Sequence, residues 1–254
     1  MPLVVTDAIV LHAFDYAESS RILRLATRDV GLQSVLARGA RRSKRRFGSA
    51  LDLFAQGDAE LQLKDGRDLQ TLREFDVRRA RPALGDDLGR FAAASALAEL
   101  VLRFGTADDS HPALFDTLAE SFDGIAESPA ERASEAGLAG AWRLVSELGF
   151  APSVDACSAC HATVADAAEL PFSHSAGGVL CDSCARLHPG GRSLPAHARA
   201  SIAAWSGARR VPALEPRAAR AHQRLLREFL QQHLADGRHL RAFDVWERGA
   251  WGSP

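Results

Sequence analysis

Four cysteines, all that the chain contains, fall into two pairs: Cys157-Ser-Ala-Cys160 and Cys181-Asp-Ser-Cys184. A C-x-x-C knuckle turns two thiolates toward one point. The twenty residues between the pairs let the second knuckle fold back and complete a tetrahedron. The pattern predicts one tightly bound Zn2+ on Cys157, Cys160, Cys181 and Cys184. Four thiolates leave no open coordination position, so the ion is expected to be structural and not hydrolytic. The insert suits a small ribbon, with Leu170 and Phe172, a turn at Gly177-Gly178, and Val179-Leu180 entering the second knuckle. Two disulfides or four buried thiols are the plainer alternative. His161, His174 and His188 lie near enough in sequence to replace one thiolate. Cys157 to His161 also spells C-x-x-C-H, the haem c attachment sequence. That reading needs an exported chain and leaves Cys181 and Cys184 unexplained, so it is rejected.

The second chemical signal is a run of cations. Arg38, Arg41, Arg42, Lys44, Arg45 and Arg46 make six of the nine residues from 38 to 46, with no acid among them. Such a run can be plain solvated surface. Held between strands and flanked by Gly39 and Gly48, it is instead suited to tracking phosphates, giving affinity without sequence preference. Phe47 could stack on a base or belong to a core. Enzymatic chemistry finds little support. Asp86-Asp87 and Asp108-Asp109 read as helix caps and dipole partners and not as metal-binding acids. His12 and His111 lack partners in any catalytic arrangement, and no G-x-x-x-x-G-K-[ST] loop occurs. The chain is expected not to be an enzyme.

These two signals need a scaffold. The 254 residues are 46% hydrophobic, enough for a substantial core and more than one domain. Net charge is −1, but it is unevenly spread. Residues 1–80 hold 14 cations and 11 acids, residues 81–150 hold 5 and 12, and residues 151–254 hold 12 and 9. A basic front, an acidic middle and a basic back suggest surfaces with different partners. The front reads as β: strands over Leu3–Leu11, Arg21–Thr27 and Gln33–Arg38, an alternating stretch over Asp58–Lys64, a turn at Asp65-Gly66, and a fifth strand over Asp68–Phe75. Five short strands fit a small closed barrel of the OB type, with an SH3-like barrel as the other possibility. From Pro82 the texture becomes helical, with helices expected over 86–104, 112–126, 129–148, 196–205 and 216–234. Leu88, Phe91, Leu97, Leu100 and Phe104 are expected to share the inner face of the first. The zinc element lies inside this helical region and should brace it. The N-terminus, Met1-Pro-Leu-Val-Val-Thr-Asp, has no basic n-region, and no apolar run reaches membrane-spanning length. A cytoplasmic protein with reduced cysteines is expected.

Several segments, in order, resemble the RecO family of bacterial recombination mediators. Ala8-Ile-Val-Leu11 and Asp15 to Leu23 are similar to its first hairpin. Thr27 to Gly31, Ala37 to Arg42 and Arg46-Phe-Gly48 are similar to its basic strand and loop. Glu99-Leu100, then Leu148 to Pro152, the knuckles with Phe172 and Gly177-Gly178, and Leu240-Arg241 follow in place. Arg45 stands where the family pattern has a small hydroxyl residue, which adds charge. The resemblance covers essentially the whole chain. It implies a multidomain α+β fold: an OB domain over 1–80, a helical domain over 81–152 and 189–254, and an embedded four-cysteine zinc-binding element over 153–188. It implies binding of single- and double-stranded DNA and annealing of complementary strands. It also implies union with RecR, recognition of the C-terminal tail of single-stranded-DNA-binding protein (SSB), and loading of RecA on SSB-coated strands. A nucleoid-associated place in a bacterial cytoplasm goes with that role. The SSB tail is acidic with an apolar end, so its pocket should join cations to an apolar groove. Arg90, Arg103, Arg132 and Arg143 are the candidates on the helical middle. The rival reading is a zinc-containing, sequence-specific transcriptional regulator, which would need a basic recognition helix.

Overall fold

The computed structural model of the chain describes residues 3–40, 47, 51–107, 109–164, 167–207, 209, 213–233 and 239–249. Five strands close the front of the molecule: β1 (Leu3–Tyr16), β2 (Ser20–Thr27), β3 (Leu32–Ala37), β4 (Gln56–Gln62) and β5 (Gln70–Arg79). Their order around the barrel is β1-β2-β3-β5-β4, with β4 returning to β1. All contacts are antiparallel except β3 with β5, where Val35, Leu36 and Ala37 run parallel to Gln70, Thr71 and Leu72. This order and its single parallel seam are OB-like. Alternation fills the interior with Ala8, Val10, Leu23, Leu25, Val35, Ala37, Ala59, Leu61, Leu72 and Phe75, all buried. Phe47 and Leu51 join them, and Phe47 is 1% exposed. Of the two roles open to Phe47, core is therefore the one it takes.

Strand β1 is longer than its apolar stretch, Leu3–Leu11, because a bulge between Val10 and His12 lets pairing with β2 continue to Tyr16. The same strand serves two cores. Ala8 and Val10 face the barrel, whereas Ile9 and Leu11 pack with the helices.

The helical part comprises α1 (Pro82–Asp86), α2 (Leu88–Phe104), α3 (Pro112–Glu127), a 3-10 turn at Ala130–Arg132, α4 (Ala133–Glu147), α5 (Asp182–Leu187), α6 (Ala196–Ser206), α7 (Pro216–His233) and α8 (Arg241–Arg248). The helix expected over 86–104 is split. Asp87 is extended and its carboxylate accepts the Arg90 N–H at 2.8 Å, starting α2 one residue later. Leu88, in the exposed first turn of α2, is not in the core; it is 48% exposed. At the start of α3 the cap is His111, whose Nδ1 accepts the Leu114 N–H at 3.0 Å, in place of the expected Asp109. Asp108 lies outside the described residues. Helices α2, α3 and α4 approach closely because small residues lie between them: Ala92, Ala93, Ala94 and Ala96 are buried on α2. A methyl on Gly140 of α4 would lie 2.7 Å from the Ser121 Cβ, and one on Gly137 would lie 2.7 Å from the Trp246 ring.

The barrel and helices share a joint with buried charge. Arg81, 6% exposed, donates to Asp123 at 2.6 Å, to the Phe54 carbonyl at 2.7 Å and to Gln56 at 2.9 Å. Its guanidinium is thus fully occupied, as a buried cation must be. Arg28 adds a two-pronged contact to Asp116 and lies 4.8 Å from the Phe115 ring centre. No helix among the described residues is long and apolar enough to cross a membrane.

Candidate metal centre and nucleic-acid interface

The cysteine knuckles sit on a ribbon of three strands, β6 (Glu169–Ser173), β7 (Gly178–Val179) and β8 (Arg192–Pro195), in the order β7-β6-β8. The turn at Gly177-Gly178 forms as expected, whereas β8 and α5 carry no clear pattern in the sequence. Ribbon residues Leu170, Phe172, Val179 and Leu194 belong to the same buried cluster as Trp142, Leu226 and Phe229 of the helices. The Phe172 and Trp142 rings stand 6.1 and 5.9 Å from the Phe229 ring. The element therefore braces the helices and is no free finger.

Backbone hydrogen bonds hold the first knuckle to the ribbon. The His161 N–H donates to the Cys157 carbonyl at 2.8 Å, and the Ser158 N–H donates to the Val179 carbonyl at 2.8 Å. His161 is left-handed at φ 61°, which sharpens the turn. The second knuckle enters α5, where the Ala185 N–H donates to the Cys181 carbonyl at 2.9 Å. The Sγ atoms of Cys157, Cys160, Cys181 and Cys184 then lie within 4.8 Å of one another, and those of Cys160 and Cys181 are 3.8 Å apart. A tetrahedral zinc with Zn–S bonds of about 2.3 Å requires sulfur–sulfur edges of about 3.8 Å. The donor set fits. Cys160 and Cys181 are too far apart for a disulfide, which needs about 2.05 Å. No histidine among the described residues joins this cluster; His174 stands edge-on to Phe172 and 3.4 Å from Glu228.

The four thiols are electrostatically unequal. The Cys181 backbone N–H does most to stabilise the Cys157 thiolate; burial opposes it and the Cys160 and Ala159 N–H groups assist. The result holds Cys157 down to about 6, mostly ionised at neutral pH. Hydrogen bonding with the Cys181 and Cys160 sulfurs pushes Cys184 up to about 12. Crowded sulfurs thus retain a proton that a bound cation would displace, the expected behaviour of a thiolate metal site.

On the barrel, Arg38 follows β3 and is exposed. Arg41, Arg42, Lys44, Arg45 and Arg46 lie outside the described residues, between Ala40 and the buried Phe47. The basic run is therefore bounded on both sides by the barrel. Outer faces of the barrel differ in charge. Across β4 and β5, Asp58 is opposite Asp76 and Glu60 is opposite Glu74. Around β2 and β3, the outward residues are Ile22, Arg24, Ser34 and Leu36, with no acid among them.

Of the cations considered on the helical middle, Arg132 and Arg143 come together. They line a groove of about 470 Å³ with Ala136, Ala139, Trp205 and Arg209. Arg132 is paired with Glu135 and Arg143 with Glu120, each at 2.6 Å. Arg90 does not line the groove but donates at 2.6 Å to the carbonyl of Ser128, one of its lining residues. Arg209 comes from the loop after α6 and is not among the candidates that spacing suggests. Its part in the groove depends on α6 packing beside α4, which no local spacing encodes.

Comparison with known proteins agrees with this architecture. Residues 1–81 match the family model of the Recombination protein O N terminal region, and residues 85–242 match that of the Recombination protein O C terminal region. The chain is 38% identical over 249 residues to a DNA repair protein RecO of Anaeromyxobacter dehalogenans, covering 95% of each chain. It is 40% identical over 185 residues to a DNA repair protein RecO of Geobacter sulfurreducens, covering 71% of this chain and 72% of that one. The counterpart from Gloeobacter violaceus is 33% identical over 176 residues, covering 69% of this chain and 66% of that one. With both family models matched in order and the Anaeromyxobacter relative covered nearly end to end, the chain belongs to the RecO family of DNA repair proteins.

Proposed function

We propose that the protein is a non-enzymatic recombination mediator. It binds single- and double-stranded DNA through its barrel, anneals complementary strands, and with RecR helps RecA replace SSB on coated strands. The observation that carries this reading is the basic run, Arg38 to Arg46, bounded by strands of an OB-like barrel within a chain of the RecO family. Phosphate contacts from such a run screen the repulsion between two strands, so pairing proceeds downhill without a chemical step. No nucleotide-binding loop occurs in the sequence, consistent with exchange driven by partners and not by hydrolysis.

The groove of Arg132, Arg143 and Arg209 supports the SSB contact. Cations around the indole of Trp205 and the methyls of Ala136 and Ala139 match a tail that is acidic with an apolar end. The thiolate site would hold Zn2+, whose preference for four sulfurs in tetrahedral array fits the cluster. It would serve stability and leave the DNA surface untouched. The protein would act in the cytoplasm, at the nucleoid.

The decisive experiment anneals complementary strands precoated with SSB, either intact or lacking its C-terminal tail. Annealing of coated strands is expected to proceed without ATP, to fall as salt rises, and to collapse with the tail-less SSB, while naked strands still anneal. Indifference to tail deletion would leave a simple DNA-binding module.

A further inference from the structure

We propose that the outer face of β1, β2 and β3 is a stacking ledge for unpaired bases, built on His12, Phe14 and Tyr16 and flanked by Arg24 and Arg38. It rests on the DNA-binding reading of the barrel and adds to it a site that engages bases where the basic run engages phosphates.

The ledge is a product of the bulge in β1. Ala8 and Val10 point into the barrel, so an uninterrupted strand would turn His12, Phe14 and Tyr16 inward as well. The extra residue between Val10 and His12 reverses the phase: Ala13 packs toward the barrel core, and His12, Phe14 and Tyr16 turn outward. Phe14 is 45% and Tyr16 51% exposed. They are the aromatic members of the exposed large hydrophobic side chains among the described residues, in a chain with 12 Phe, 4 Trp and 1 Tyr. Two exposed rings two residues apart on a hairpin do nothing for the folded core.

Register supplies the cations. His12 is opposite Arg24, which is opposite Ser34; Phe14 is opposite Ile22, which is opposite Leu36. The Arg24 Nε has no hydrogen-bond partner among the described residues. The His12 and Phe14 rings are 5.8 Å apart. The next outward position beyond Leu36 is the exposed Arg38, where the basic run begins. Nearby acids are accounted for. Asp15 lies on the alternate side, its carboxylate held by Arg21 at 3.1 Å, and Glu18 is in the turn after Tyr16. Rings interleaved with guanidinium groups and continuous with a cationic run complement a single strand, whose bases are free to stack. A duplex hides its bases and gains nothing from the rings. The ledge therefore confers preference for single strands.

The test uses the full chain carrying Phe14→Ala and Tyr16→Ala together, and separately Phe14→Trp. The side chains are exposed, so unchanged melting confirms a folded protein. Single-stranded oligothymidylate should bind at least tenfold more weakly to the double variant, in line with roughly 5- to 150-fold per stacked base. Duplex affinity should change less than about twofold, and the salt dependence should keep its slope because no cation is lost. In the Phe14→Trp variant, the fluorescence of the introduced indole, measured as the difference from wild type, should be quenched by oligothymidylate. Equal oligothymidylate affinity of the double variant and wild type, or an unquenched indole in the second variant, would overturn the ledge and leave the face for a protein partner. Wild type that binds no DNA would instead overturn the reading beneath it.

Discussion

The barrel and the cysteine ribbon are both small β elements, yet they place their chemistry in opposite ways. The barrel has an apolar interior of its own and carries Arg38, Phe14 and Tyr16 on the outside. The ribbon has little interior: its inner residues Leu170, Phe172, Val179 and Leu194 merge with the helical core, and its four cysteines converge on one point, with Cys157 buried and Cys160 exposed. A surface site can be changed without touching the fold, whereas a site built from the turns that hold a small element together is inseparable from it. Function and stability should therefore separate cleanly between the two.

The sharpest way to break this contrast is Cys157→Ser, which removes the buried cysteine of the four. Loss of the metal should cost on the order of 5 kcal/mol or more in the helical region and lower its melting transition. DNA affinity should stay within a few-fold of wild type. One zinc per chain in metal analysis accompanies this expectation; zinc-free protein that melts as before would refute it.

The joint comes next. Arg81→Ala leaves the Phe54 carbonyl and the Gln56 side-chain oxygen without their donor, while Asp123 keeps Arg79 at 2.8 Å. The unsatisfied oxygens and the vacated volume should cost about 3 kcal/mol. Urea unfolding followed separately through barrel and helical probes should change from one transition to two. A single unshifted transition would show that the two cores are coupled by packing alone.

Acid should weaken the helical side selectively. Burial, with a smaller contribution from His197, holds His222 down to about 4, and its ring lies 5.0 Å from Trp205. The unfolded chain takes up this proton near pH 6.5, so the stability is complete above that pH. It is lost as pH falls from about 6.5 to 4, by about 3 kcal/mol. In His222→Phe this portion of the acid sensitivity of melting should vanish; an unchanged pH profile would assign the acid response to other groups.

The smallest effect on stability belongs to the barrel surface. A run this rich in cations is expected from its composition to be solvated, so replacing Arg41, Arg42, Arg45 and Arg46 together with Ala should shift melting by no more than about 2 °C. Binding to all DNA sequences should weaken alike, with the log–log salt slope reduced by roughly 0.7–0.9 per lost phosphate contact. Retained affinity and slope would make the run ordinary solvated surface.

Much of this organisation is legible in the residues because it rests on local spacing. Two C-x-x-C knuckles specify their own turns, and the alternation of Ala59, Leu61 and Leu63 against Glu60, Gln62 and Lys64 specifies a strand with one dry face. Elsewhere the decisive contacts are long-range. Helix α8 follows unpromising spacing and gains its start from Glu99 of α2, whose carboxylate accepts the Arg241 and Ala242 N–H groups at 3.0 and 2.8 Å. Desolvation raises the Glu99 pKa despite those donors. The strand β8 forms only by pairing with β6, as Leu194 does with Leu170. Phe47, ambiguous beside a cationic run, is drawn inward because the barrel interior has room for its ring.

Sequence alone determined the four-cysteine set, the cationic run, the order of strands before helices, and the family resemblance, since each depends on residue types at short separations. Tertiary structure decided which groups share a surface. It drew the sulfurs within 4.8 Å, brought Arg209 beside Arg132 and Arg143, and turned Phe14 and Tyr16 to solvent. The reason is geometric: a one-residue bulge or the packing of one helix on another sets side-chain direction, and neither leaves a local periodic trace.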